Sequence, residues 1–145
     1  MDDRDWLAAA IEEAWRCPPS ERAFSVGAII VAGGAELTRG HSRETDDHVH
    51  AEEAALAKLP QPPPDATLYS SLEPCGARAS RPRTCTELII AAGIRRVVFA
   101  WREPPVFVPG RGAELLAAAG VTVVEVPELA DAARAPNRHL LDDQS

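Results

Sequence analysis

The succession His50-Ala51-Glu52, Pro74-Cys75 and Cys85 constrains this chain more than any other feature. One imidazole and two thiolates make three ligands for Zn²⁺ and leave a fourth position open for water. A carboxylate that is not itself a ligand can move protons between that water and a substrate. Any fold of this chain must therefore bring the segments around positions 50, 75 and 85 to one point. A lone H-x-E is common on helices, and nine residues separate the two cysteines, a wider gap than the P-C-x-x-C of many such sites. A structural zinc site more often has four protein ligands in two tight knuckles. Three ligands beside a free carboxylate favour a catalytic centre with His50, Cys75 and Cys85 on the metal and Glu52 as proton shuttle. The chemistry implied is hydrolytic removal of an amine from a ring.

Hydrophobic periodicity sets the frame around these residues. Trp6, Leu7, Ala10, Ile11, Ala14 and Trp15 recur at helical spacing over residues 3–16, and Pro18-Pro19 stops the helix. The run 24–31 is apolar and β-branched, as in a buried strand. Gly33-Gly34 makes a turn, and 36–41 returns as the hairpin partner. A helix is predicted from 49 to 59, ended by Pro60, then a strand over 66–72 that runs into Glu73-Pro74-Cys75. Thr84 can cap a helix that contains Cys85 and is terminated at Gly93. A strand at 96–101, a helix at 113–119, a strand at 121–126 and a last helix at 128–141 complete the series. Two successive βα units imply parallel neighbours, so the expectation is one α/β domain over residues 1–145, with a five-stranded mixed sheet between helices.

Charge narrows the function classes. The chain has 15 basic and 22 acidic residues, a net charge of −7. Phosphate affinity comes mostly from Lys and Arg, so a small-molecule substrate is expected and nucleic acid is not. No apolar run approaches the length of a membrane span. The acidic start, Met1 to Asp5, is unlike a secretory signal, and three cysteines with two assigned to metal form no disulfide framework. A reducing cytoplasm is the expected location. Cys17 reads as a partly buried structural thiol.

Other residues are candidates for the site. His41 and His48 are alternative ligands, with His48 more at home in the wall of a binding pocket. Glu53 points about 100° away from Glu52 round a helix and reads as a solvent or interface carboxylate. Glu73 suits a turn-stabilising role as well as catalysis. Arg78, Arg81 and Arg83 match phosphate geometry. Phe24, Trp101 and Phe107 can contact a ring, although core packing competes for each. Ser71 completes the substrate-binding candidates.

From Gly40 to Val124 the chain resembles the cytidine deaminase-like superfamily, and within it the deaminase domain of the bifunctional riboflavin-biosynthesis enzymes. The residues that carry the resemblance are His50-Ala51-Glu52, the run from Ala66 to Cys75, the run from Glu87 to Val98, Gly110-Arg111-Gly112, Leu115-Leu116 and Ala119-Gly120-Val121. The resemblance implies a three-layer α/β/α fold, zinc on His50, Cys75 and Cys85, Glu52 as the proton shuttle, and a homodimer or higher homo-oligomer. The subfamily has asparagines where this chain has Ala23 and Pro105, and the loop from Cys75 to Cys85 is rewritten. These replacements predict a simpler pyrimidine-type base, nucleoside or nucleotide in place of the riboflavin precursor. The riboflavin-pathway deamination, a purine or tRNA adenosine deaminase, and a non-catalytic binding module are the alternatives.

Overall fold

The computed structural model describes residues 1–77, 83–104 and 111–141. Five strands form one sheet in the order β2-β1-β3-β4-β5: β1 Gly27–Ala32, β2 Ala35–His41, β3 Thr67–Leu72, β4 Arg96–Trp101 and β5 Thr122–Glu125. β1 runs antiparallel to both β2 and β3, whereas β3, β4 and β5 are parallel. Helix α1 is Asp3–Ala14, α2 is Ala51–Ala57, α3 is Cys85–Ala91, α4 is Gly112–Ala118 and α5 is Ala130–Arg134.

Because side chains alternate along a strand, each strand feeds both faces of the sheet. On one face Ile29, Val31, Tyr69, Val98 and Ala100 meet Trp6, Leu7, Ala10 and Ile11 of α1 and Ala130 and Ala133 of α5. On the other, Ile30, Leu68 and Val97 meet Ala55, Ile89 and Leu116 from α2, α3 and α4. The result is the expected three-layer α/β/α architecture, with the two crossover helices α3 and α4 on one face. α1 lies so close to β1 that a Cβ on Gly27 would stand 1.9 Å from the Ala10 carbonyl oxygen.

Most element ends fall within two residues of expectation, and two regions differ by more. Phe24, Ser25 and Val26 precede β1 instead of belonging to it. Side chains hold their N–H groups: Val26 N–H donates to Ser42 Oγ at 3.0 Å, and Ser25 N–H to Asn137 Oδ1 at 2.6 Å, while the Val26 carbonyl accepts from Ser42 N–H at 3.0 Å. The expected helix over 128–141 is instead a 3-10 turn at Pro127–Leu129, the short α5 and a second 3-10 segment at Ala135–Leu140. Pro136 has no N–H to give a continuing helix and crowds the preceding turn.

Candidate active site

One end of the sheet collects everything the motif requires. β3 and β4 end there, β1 begins there, and β2 ends opposite the start of β1 with Gly27 paired to His41. The segments 18–26, 42–52, 72–77 and residue 103 therefore surround one cavity of about 640 Å³. The carboxyl ends of parallel strands are where open α/β sheets place ligands.

His50 is the N-cap of α2, with extended backbone at φ −90° and ψ 160°. Its N–H donates to Glu53 Oε1 at 3.2 Å, so the carboxylate expected at a solvent or interface position instead braces the histidine backbone. Cys85 is the first residue of α3, capped by Thr84, whose hydroxyl accepts from Glu87 N–H at 3.2 Å. Cys75 comes three residues after β3, and its sulfur accepts from Cys85 N–H at 3.3 Å. His50 Nδ1 lies 3.2 Å from Cys85 Sγ and 3.5 Å from Cys75 Sγ. All three donor atoms fall within 4.8 Å of one another, close enough to share one metal ion. The Cys85 thiol beside it, and then His50, hold Cys75 well below the usual thiol range against the opposing effect of burial. An imidazole with two sulfurs, one already thiolate-prone, is a donor set suited to zinc.

Glu52 is buried in the first turn of α2 and lines the cavity. Burial pushes its carboxyl up to about 7; the neighbouring Cys75 charge adds to this, while His50 and the Ser70 hydroxyl oppose it. Ser70 Oγ stands 3.3 Å from Glu52 Oε2 and 2.7 Å from the Leu72 carbonyl oxygen, between the two acceptors. Glu73 is fully buried and accepts from Glu103 N–H at 3.0 Å and Ala113 N–H at 2.8 Å. It fastens the end of β4 and the start of α4 to the segment that leads from β3 to Cys75.

The other candidates divide. Phe24 and His48 line the cavity, Phe24 buried and His48 exposed. Trp101 is in the core, edge-on to Phe24 with ring centroids 5.1 Å apart, and supports the wall from behind. Ser71 accepts from Gly27 N–H at 3.1 Å, a bond between β3 and β1. Neither Trp101 nor Ser71 lines the cavity. Arg83 is exposed on a shallow groove beside Glu53, Leu56 and Leu88 instead of in the cavity. Arg78, Arg81, Pro105 and Phe107 lie outside the described residues. His41 belongs to a separate cluster, its Nδ1 2.7 Å from Glu13 Oε2. Cys17 is half-buried, with its thiol 3.4 Å from the Val26 carbonyl oxygen, and burial raises it.

Sequence reasoning passed over Arg43 and Glu103. Arg43 adopts φ 59°, rare for a residue with a side chain, and its guanidinium donates to the carbonyls of Pro18 and Phe24 and to Ser25 Oγ. It ties two walls of the cavity together. Glu103 lines the same cavity, within reach of the charges of Cys75 and Glu52, and no periodic or spacing signal marks either residue.

The fold and the paired His/Cys and Glu arrangement are those of a zinc deaminase class. Residues 1–101 match the cytidine and deoxycytidylate deaminase zinc-binding region, and the chain belongs to that family. It is 40% identical over 126 residues to the diaminohydroxyphosphoribosylamino-pyrimidine deaminase of Schizosaccharomyces pombe, covering 83% of this chain and 31% of that protein. It is similar in structure to the RibD of Acinetobacter baumannii, with a TM-score of 0.82 and 31% identity over 99% of this chain and 40% of the other. The Rib2 deaminase of Aspergillus oryzae, as a C-terminal deletion mutant, gives a TM-score of 0.75 at 25% identity, with 97% of each chain covered. The chain thus spans about a third of the length of the curated relative from S. pombe. Among the described residues, no helix is long and apolar enough to cross a membrane.

Proposed function

We propose that this chain is a zinc-dependent hydrolytic deaminase whose substrate is the diaminopyrimidine phosphate of riboflavin biosynthesis. The observation that carries the reaction type is the convergence of His50, Cys75 and Cys85 donor atoms within 4.8 Å beside the buried Glu52. The 40% identity to a diaminohydroxyphosphoribosylamino-pyrimidine deaminase supports the substrate. It outweighs the expectation of a simpler ring drawn from Ala23 and Pro105. Ala23 does line the cavity, so the missing amide at that position has to be replaced by other polar groups of the wall.

Zinc on the three donors would lower the pKa of water toward about 7 and supply the nucleophile at neutral pH. Glu52 takes a proton from the attacking water and gives it to the ring nitrogen next to the amine-bearing carbon. It then takes the remaining proton of the added hydroxyl and passes it to the departing amine, so that the C–N bond breaks, C=O forms and ammonia leaves. Burial raises the Glu52 carboxyl above the usual carboxylate range, which makes it a better proton acceptor and lets it hold a proton between transfers. Ser70 keeps the carboxylate aimed. The Phe24 ring forms an apolar wall that excludes water from the flat substrate, and Arg43 holds that wall in place.

The deciding experiment measures ammonia release by zinc-loaded protein from the diaminopyrimidine ribosylamino phosphate, cytidine, dCMP, guanine and isocytosine. The expected result is a kcat/KM for the first that exceeds every other by ~100-fold or more, as for a site that hydrogen-bonds one ring pattern. A higher kcat/KM for cytidine or dCMP would overturn the substrate. No ammonia from any of them would overturn the reaction type.

A further inference from the structure

Besides the exposed Asp47, three carboxylates border the cavity, and two are already accounted for. Glu52 faces the metal donors, and Glu73 accepts two backbone N–H groups. Glu103 is the third. Its backbone is fixed by the bond from its N–H to Glu73 Oε1, immediately before Pro104, so the side chain starts from a rigid base. Among the described residues its carboxyl group has no hydrogen-bond or ion-pair partner. The adjacent Arg102 turns instead to Glu125 Oε1, at 3.0 Å. A half-buried carboxyl with no partner is costly, and here burial together with the charges of Cys75, Glu52 and Glu73 pushes it up to about 8. Two N–H donors on a ligand would favour its ionised form and draw it back down. Native proteins rarely leave such a group unsatisfied unless a ligand completes it.

We propose that Glu103 is a specificity-determining residue that accepts two N–H groups from the edge of a 2-amino-4-pyrimidinone ring. This deepens the functional reading above and rests on it. In such a ring the amine-bearing carbon lies between one bare nitrogen and one N–H. The bare nitrogen suits proton transfer from Glu52. The N–H and the amine form two parallel donors, the pattern that a carboxylate matches with its two oxygens. Cytosine has no N–H beside its amine-bearing carbon, so Glu103 would keep one unmet acceptor and select against it. The two carboxylates thus divide the two edges of one ring.

The test is calorimetric titration of isocytosine and of cytosine into zinc-loaded Glu52→Gln protein, with and without Glu103→Gln. The Glu52 change prevents turnover, and matched zinc content and circular dichroism establish an intact fold. Isocytosine is expected to bind at least tenfold tighter than cytosine, and Glu103→Gln to weaken isocytosine by about 10–100-fold while leaving cytosine within threefold. Equal loss for both rings, or no loss for isocytosine, would overturn the role of Glu103. If isocytosine shows this dependence but the diaminopyrimidine phosphate is not deaminated, the substrate assignment falls and the ring-edge recognition stands.

Discussion

At the residue scale, the division of labour among carboxylates is set by surroundings instead of residue type. Glu52, Glu53, Glu73 and Glu103 lie within a few residues of the metal donors or of the strand ends beside them, yet Glu53 and Glu73 are occupied by backbone N–H groups. Only the other two are placed to meet a ligand. Glu52→Gln is expected to retain zinc and fold while kcat falls by ~10²–10⁴-fold or more, because shape is kept and the proton acceptor is lost. Turnover at matched zinc content checks this, and activity within tenfold of wild type would assign the proton transfer to another group. Cys85→Ala removes one of three donors and is expected to purify with less than a tenth of an equivalent of zinc, as read by elemental analysis.

At the scale of elements, helix starts do the positioning. α2 and α3 begin at the same end of the sheet, and their first turns carry His50, Glu52 and Cys85. α4 also begins there, and its approach is closer than a side chain permits. A Cβ on Gly112 would lie 1.7 Å from the Pro74 carbonyl oxygen, one residue from Cys75. Gly112→Ala must therefore displace either α4 or the 74–75 segment. The expected cost is about 1–3 kcal/mol of stability, as for an overpacked core position. Zinc affinity should also fall by tenfold or more, as seen in competition with a chromophoric chelator. A variant with normal zinc affinity and lowered stability would place the displacement in the helix alone.

Across the whole molecule, a bridge joins the first helix to the parallel strands. The Asp3 carboxylate accepts from the Arg96 guanidinium at 2.9 and 2.6 Å and from the Tyr69 hydroxyl at 2.6 Å. Arg96 chiefly, and Tyr69, hold the Asp3 carboxyl down at about 2, below its ordinary 3.8. A depressed carboxylate stabilises the fold above its unfolded pKa, and that contribution is lost as pH falls through the folded value. Asp3→Asn is thus expected to cost ~1 kcal/mol at pH 6–7, after allowance for solvent screening at a partly exposed pair. Urea denaturation should show the gap between wild type and variant closing as pH falls from about 4 toward 2. A gap that does not vary with pH would assign the cost to packing.

The convergence of His50, Cys75 and Cys85 near Glu52, the order of the secondary-structure elements and the mixed sheet were legible in the sequence because each depends on local chemistry or short-range periodicity. His50, Cys75 and Cys85 are identified by residue type and spacing, and β3, β4 and the Thr84 cap by patterns within a few residues. Pro136 is a local signal for the break in the last helix, against the apolar pattern around it. The remainder depended on contacts distant in the chain. Glu73 meets Ala113, Arg43 meets Pro18, and Asn137 holds Ser25 across 112 positions. Trp101 and Ser71 had the right chemistry for the cavity, but the alternation along their strands and their partners across the sheet turned them to the core and to β1. Glu103 had no local signal, since an Arg-Glu-Pro after a strand is an ordinary turn. Only the packing of β4 against the end of β3 brought its carboxyl group beside Glu52, because burial and the neighbourhood of other charges are properties of the folded surface and not of the chain.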